Sequence, residues 1–153
     1  MNAVGIQLKR YPYEEPYHLH LVFSASNGLF EGHLEFFCNA TGIKELGTAL
    51  HSFPNKIPDA YSYEIGSAQK ENNSAYYFAL HAYTTDMSGR CALQIVVDNN
   101  QDKPDEGACR FSIKAEPSAI NRLGKLLLTF SEMKHQTLNW SLSGENDCLI
   151  ENE

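Results

Sequence analysis

The sequence predicts an α+β domain: a single antiparallel sheet of about six to eight strands with two helices on its apolar face. Three observations lead to this prediction. Several runs alternate apolar and polar residues, two segments repeat apolar residues at spacings of three and four, and the two halves share a pattern. With 153 residues, the chain is long enough for one domain, which we place at residues 1–142.

A hairpin is the clearest local signal. Residues 16–26 and 29–38 alternate on either side of Asn27-Gly28, a pair that favours a two-residue turn. We therefore expect Ser26 to face Leu29, which sets His20 opposite Glu35. The predicted core face carries Leu19, Leu21, Phe23, Ala25, Phe30, Gly32, Leu34 and Phe36.

The remaining elements follow in order. A helical stripe formed by Ile43, Leu46, Leu50 and Phe53 ends at Pro54, and a second helix over residues 117–133 begins with Pro117. Strand-like runs occupy residues 60–67, 75–84, 90–99, 108–115 and 138–142. Residues 143–153 contain four acids and no Lys or Arg, so we expect a flexible acidic tail.

An internal repeat links the halves. Adding 77 to the residue number carries Leu46-Gly47 onto Leu123-Gly124, inside a shared Leu-Gly-x-x-Leu-x-x-Phe pattern. The spacing predicts two βββα units, at about residues 1–54 and 75–133. Glycine inside a helix costs about 1 kcal/mol relative to Ala, so we expect Gly47 and Gly124 to mark a close backbone approach.

Charge and cysteine usage limit the partners. Twelve Lys and Arg residues against 19 Asp and Glu residues give a net charge of −7, which argues against nucleic acids and anionic membranes as partners. We see no signal peptide or membrane-spanning run. The four cysteines lack C-x-x-C spacing, so we expect reduced thiols, a cytoplasmic location and no zinc bound through cysteine.

Histidines and a carboxylate share the polar face of the hairpin. His20, His33 and Glu35 are candidates for a divalent metal site or for acid–base chemistry. The competing interpretation is an ordinary polar sheet face with cross-strand pairs, and the open face favours it. Because the sequence also lacks nucleophile and phosphate-binding motifs, we predict no catalytic residue, no metal, no cofactor and no enzyme activity.

Two acidic groups are candidate binding surfaces. Tyr13, Glu14 and Glu15 lie in a proline- and tyrosine-rich segment before the hairpin, and exposed tyrosine is common in protein interfaces. The second group lies in and beside a polar loop and comprises Asp98, Asp102, Asp105 and Glu106. The alternatives are a strand connection packed on the sheet edge and solvated loop acids.

At the level of class, the chain resembles the small acidic cytoplasmic immunity proteins of bacterial contact-dependent toxin systems. The resemblance rests on the acidic elements at residues 13–15, 102–106 and 145–147. It implies a protein that binds and neutralises a cognate, basic toxin. A metal-binding protein or enzyme using the His/Glu face, and a small-ligand carrier with a cavity between sheet and helices, are the alternatives.

Overall fold

A computed structural model describes residues 3–11, 13–15 and 17–151, without the side chain of Lys70. Two prolines of the tyrosine-rich segment, Pro12 and Pro16, and the last two residues of the predicted tail lie outside the described residues. The described elements are, in chain order, β1 (Gly5–Tyr11), β2 (Leu19–Ser26), β3 (Glu31–Cys38), α1 (Ala40–His51), β4 (Ala60–Gly66), β5 (Tyr77–Thr84), β6 (Cys91–Asp98), β7 (Ala108–Ala115), α2 (Pro117–Phe130), β8 (His135–Ser141) and β9 (Cys148–Glu151).

The predicted single sheet is wrong, because the strands form two antiparallel sheets. One has the order β3-β2-β1-β8-β9 and the other the order β4-β5-β6-β7. The α+β class with antiparallel pairing is correct. Alternation of apolar residues identifies the face that each strand buries but not the strand beside it, so the division into two sheets did not follow from the pattern.

The hairpin between β2 and β3 has a different register from the predicted one. His20 lies opposite Phe37, and Val22 lies opposite Glu35. The backbone N–H of Asn27 donates to the carbonyl of Phe30 at 3.1 Å, and Gly28 has a φ of +93°. Gly28 and Leu29 therefore form the turn, with Gly at its first central position. Each residue of β2 therefore pairs with a residue two positions later in the chain than predicted. This shift keeps the predicted faces of the two strands but leaves Phe30 exposed.

The two halves of the chain repeat one order of elements with one register. The strand pairs Gly5–Ser26 and Tyr77–Asp98 differ by 72 in residue number at both positions. The unit is longer than the predicted βββα, because a fourth strand follows each helix. This strand joins the sheet of the other half: β4 pairs with β5, and β8 pairs with β1.

The helices cross where the two glycines meet, so the predicted close approach is confirmed. A Cβ atom on Gly47 would lie 3.0 Å from the carbonyl oxygen of Gly124. A Cβ atom on Gly124 would lie 2.7 Å from the Cα of His51. Both contacts are with main chain, which cannot move aside as a flexible side chain can. Only glycine at both positions allows this separation.

Both sheets and both helices share one core. Its largest side chains with less than 2% exposure include Phe23 and Phe36 of the first sheet, Ile95 of the second sheet, and Phe130 of α2. The cavity between the sheets and helices has a volume of about 20 Å³ and an apolar lining. That space holds about one water molecule, so a ligand carried there would require the core to open.

The segment predicted as a flexible tail contains β9. Leu149 lies opposite Leu138 of β8 and is partly buried against the core. Asp147 accepts hydrogen bonds from the backbone N–H of Ser141, at 2.7 Å, and from the guanidinium of Arg122. These contacts hold residues 147–151 on the first sheet.

Candidate functional site

Exposed rings gather where β1 and β3 end and β2 begins. His20 stacks on Phe37 with ring centroids 4.9 Å apart, and Phe37 lies 5.1 Å from Tyr13. Tyr11 lies 5.6 Å from His20. The exposed fraction is 57% for Tyr13 and 41% for Phe37. We call this group the aromatic surface; its members are Tyr11, Tyr13, His18, His20 and Phe37.

The loop between β1 and β2 carries this surface, and a buried arginine holds the loop. Arg10 is 4% exposed and forms a salt bridge with Glu15. Its guanidinium also donates to the carbonyl of His135 at 3.1 Å and to that of Met133 at 3.0 Å. The carbonyl of Glu14 accepts from the N–H of His18 at 3.0 Å, which closes the loop. The rings are therefore attached to an anchored loop and to regular strands.

The three predicted residues of this loop have different environments. Tyr13 contacts both Phe37 and His18 within the aromatic surface. The side chain of Glu14 is 70% exposed and lies 4.0 Å from His18, so its carboxylate is accessible to a partner. Glu15 is only 25% exposed and pairs with Arg10, so its role is to hold the loop.

Glu35 adds a second accessible carboxylate beside the rings. Its side chain is 69% exposed and lies 3.8 Å from the Nε2 atom of His20. Among the described residues, neither Glu14 nor Glu35 forms a salt bridge with a lysine or arginine. The aromatic surface thus has a carboxylate at two places where a cationic side chain could bind.

The histidine candidates form two separate pairs rather than a cluster. His20 lies beside Glu35, and His33 lies 3.8 Å from Glu31. The Nδ1 atom of His33 is also 2.9 Å from the hydroxyl of Ser24, its cross-strand neighbour. Within residues 3–11, 13–15 and 17–151, no three His, Cys, Asp or Glu side chains are close enough together to hold a metal ion.

The second predicted group borders an open groove. Asp98, Asp102 and Glu106 line this groove of about 890 Å³ together with residues 68–69 and 73–74, whereas Asp105 is not part of the lining. We call residues 99–107 the acidic loop. Lys103 also lines the groove, but none of the described Lys or Arg side chains forms a salt bridge with these carboxylates.

Asparagine side chains fix the shape of the acidic loop. Asn99 donates from Nδ2 to the carbonyl of Asp105 at 3.0 Å, and its Oδ1 accepts from the N–H of Gly107 at 3.0 Å. Asn100 has a φ of +52°, and its Nδ2 donates to the carbonyls of Ser67 and Ser74 at 2.9 Å each. The loop is therefore tied to the segment on the opposite side of the groove.

Tyr76 connects the two surfaces. Its hydroxyl accepts a hydrogen bond from the backbone N–H of Phe37 at 3.0 Å. The next residue, Tyr77, lies opposite Asp98. Both surfaces consequently lie near the place where β3 and β6 end and β5 begins.

The thiol of Cys38 and the phenol of Tyr63 belong to the core rather than to the aromatic surface. Burial raises the pKa of the Cys38 thiol to about 12. Burial also raises the pKa of the Tyr63 hydroxyl, and the neighbouring Cys38 adds to that shift. A thiol that stays protonated is a poor nucleophile, so Cys38 behaves as a core residue.

Sequence reasoning missed most of the aromatic surface. Tyr13 was predicted to bind a partner and His20 was a metal candidate, whereas Tyr11, His18 and Phe37 were given no such role. One signal was present: Phe37 is an aromatic residue at a position whose strand neighbours on the same face are Glu31, His33 and Glu35. A large apolar side chain on an otherwise charged face indicates a contact surface.

Comparisons with known proteins add no family to this description. No protein-family model matches the chain, and neither a curated protein nor a solved structure matches it. No helix in the described part of the chain combines the length and apolar character that crossing a bilayer requires.

Proposed function

We propose that this protein is a non-catalytic binding module that inhibits a basic partner protein by stoichiometric contact. In this proposal it acts in the cytoplasm as the immunity protein of a bacterial toxin. The observation that supports the proposal best is the aromatic surface, where exposed rings lie beside two carboxylates that form no salt bridge with any described Lys or Arg side chain.

The aromatic surface has the composition of an interface centre. Tyrosine and phenylalanine provide a large contact area and have few rotatable bonds to immobilise. The stacking of His20 on Phe37, and the contact of Tyr13 with Phe37, already restrict the rings in the free protein. A partner that binds there therefore loses less affinity to side-chain ordering.

The charges indicate what the partner presents. An arginine or lysine placed over Tyr13 or Phe37 would gain a cation–π contact. Its charge would lie near Glu14 or Glu35, each of which lies within 4.0 Å of a histidine. The acidic loop and the net charge of −7 favour approach of a basic protein and raise its association rate. Reduced thiols fit a cytoplasmic location, because the described cysteines are all free.

Co-expression with proteins encoded next to its gene tests the proposal. We expect a one-to-one complex with a basic protein, and rescue of cells from that protein's toxicity. The double variant Tyr13→Ala/Phe37→Ala should weaken binding by at least about 30-fold, since the loss of even one hot-spot aromatic costs about 2 kcal/mol or more.

Met87→Ala is the matched control, because Met87 is 75% exposed in the loop between β5 and β6 and lies outside both surfaces. It should bind like the parent. Equal binding by the double variant and the parent, or enzymatic turnover without any protein partner, would contradict the proposal.

A further inference from the structure

The sheet order leaves four edge strands among the described residues, and three of them are protected. β9 has only four residues and ends in Glu151. β3 presents charged residues along its outer face, and its Phe37 N–H is bonded to Tyr76. β7 carries Arg110 and Lys114, and its Ser112 carbonyl accepts from Asn27 at 3.1 Å. Short length, charge and covering groups are the usual means of preventing edge-to-edge pairing.

The edge strand β4 has none of these protections. It is seven residues long, with the sequence AYSYEIG, and contains no lysine, arginine or proline. Its single charged residue, Glu64, accepts a hydrogen bond from the Tyr77 hydroxyl at 3.2 Å. The hydroxyl of Ser62 lies 2.6 Å from the Nδ1 atom of His81. Both side chains are thus held over β5 and away from the open edge.

In the other half of the chain, an additional strand covers the equivalent edge. Leu80 and Leu8 are equivalent in the repeat, and they lie opposite Tyr63 and Leu138 respectively. Tyr63 therefore corresponds to Leu138. Its neighbours Ser62 and Glu64 correspond to Thr137 and Asn139 of β8. Thr137 and Asn139 are residues that pair with β9. No hydrogen bond formed by the described residues uses the outward backbone groups of Ser62 and Glu64.

Burial differs between the two edges in the same way. Leu138 and Trp140 of β8 are 0% and 2% exposed. Their counterparts Tyr63 and Ile65 in β4 are only partly buried against the core. β4 therefore lacks, at its outer edge, the additional strand that lies beside β8.

We propose that β4 pairs with β4 of a second copy, so that two four-stranded sheets join into one. The strand suits antiparallel self-pairing about Tyr63. This register sets Ser62 opposite Glu64 of the partner, and Tyr61 opposite Ile65 of the partner. The first pair avoids like charges directly opposite each other, and the second is a favourable aromatic–β-branched pair. A two-fold axis makes such an interface self-complementary.

The dimer is expected to be weak. Two seven-residue strands bury less than the roughly 1,600 Å² of a standard interface, and each copy carries a charge of −7. Salt screens that repulsion, so raising the salt concentration should strengthen the dimer. Binding of a basic partner should instead weaken with salt, which separates this proposal from the proposed function.

Sedimentation equilibrium over micromolar to millimolar concentrations tests the pairing. The parent should shift from monomer towards dimer, and Ser62→Ala should behave the same because it keeps the outward N–H. Ser62→Pro removes that N–H at an edge position, where proline is tolerated, and should remain a monomer.

Amide exchange of the parent gives a test that does not depend on whether the proline variant folds. The amides of Ser62 and Glu64 should exchange more slowly at high protein concentration than at low concentration. A monomeric parent throughout the range, unchanged exchange at both amides, or a dimer that persists in a folded Ser62→Pro variant would overturn the proposal.

Discussion

At the scale of the residue, Gly124 shows how one missing methyl group determines the packing of two helices. Its position inside α2 was predicted to mark a close approach, and the approach is to the last turn of α1. The sequence could reveal this because glycine is unfavourable in a helix unless something compensates. The ring contacts of Phe37 could not be predicted in the same way. Tyr13 reaches it from the β1–β2 loop, and His20 lies opposite it only in the observed register of the hairpin.

Replacing this glycine should destabilise the protein. Gly124→Ala would bring a Cβ atom to 2.7 Å from His51 Cα, so we expect a loss of about 2 kcal/mol or more despite the gain in helix propensity. Lys125→Ala, at the exposed neighbouring position, should change the free energy of unfolding by less than about 0.5 kcal/mol. Urea unfolding measures both. Equal midpoints for the two variants would refute the close packing at Gly124.

Stability should fall in alkaline solution because of Cys38. Burial raises the pKa of its thiol from an ordinary value of 9.0 to about 12 in the folded state. The unfolded chain releases that proton first, so stability is lost as the pH rises from about 9 to 12, by up to about 4 kcal/mol. Urea unfolding of the parent, Cys38→Ala and Cys148→Ala at several pH values measures this loss.

The controls make the cause specific. Cys38→Ala should lose less stability over this pH range than the parent, whereas Cys148→Ala, which removes an exposed thiol, should follow the parent. Identical pH dependence in all three proteins would show that Cys38 is not responsible.

At the scale of the element, the hairpin shows both the strength and the limit of turn signals. Asn27-Gly28 correctly indicated a tight turn between β2 and β3. The register shifted because the Asn27 side chain accepts hydrogen bonds from the N–H groups of Leu29 and Phe30, at 2.9 and 2.8 Å. Asn27 therefore flanks the turn instead of lying within it, a distinction that the dipeptide alone does not carry.

One side chain joins the two helices at the end of α1. The Nδ2 atom of Asn121 donates to the carbonyls of Leu50 and Phe53, at 2.9 and 2.8 Å. Asn121→Ala leaves both carbonyls without this donor and should cost about 1–3 kcal/mol. Thermal or urea unfolding provides the measurement, with Thr129→Ala of the same helix as a control of small effect. A cost no greater than that of Thr129→Ala would show that this connection contributes little.

At the scale of the whole molecule, each half of the chain forms a sheet of its own and exchanges its fourth strand with the other half. The sequence pattern located most strands and both helices, and it related the two halves. It could not show that the strand after each helix crosses to the sheet of the other half, because pairing partners are set by tertiary packing and not by alternation. The aromatic surface was predicted only in part for the same reason: its residues lie on β1, on the loop between β1 and β2, and on β2 and β3.

Removing β9 should weaken the first sheet. A chain that ends at Asp147 loses the strand that covers β8, including the partly buried Leu149, and should lose about 2 kcal/mol of stability. A chain that ends at Glu151 is the control and should unfold like the parent. Urea unfolding measures both chains. If they unfold at the same urea concentration, β9 adds nothing to the stability of the fold.

The most direct test of the proposed function compares what the parent and Tyr13→Ala/Phe37→Ala capture from the cells that encode the protein. Both baits are first shown to unfold at the same urea concentration, and captured proteins are quantified by mass spectrometry at low and high salt. We predict a basic protein that the parent retains in equimolar amount, that the double variant loses, and that high salt releases. Equal recovery by both baits, or no protein specific to the parent, would contradict the assignment of the aromatic surface as a binding site.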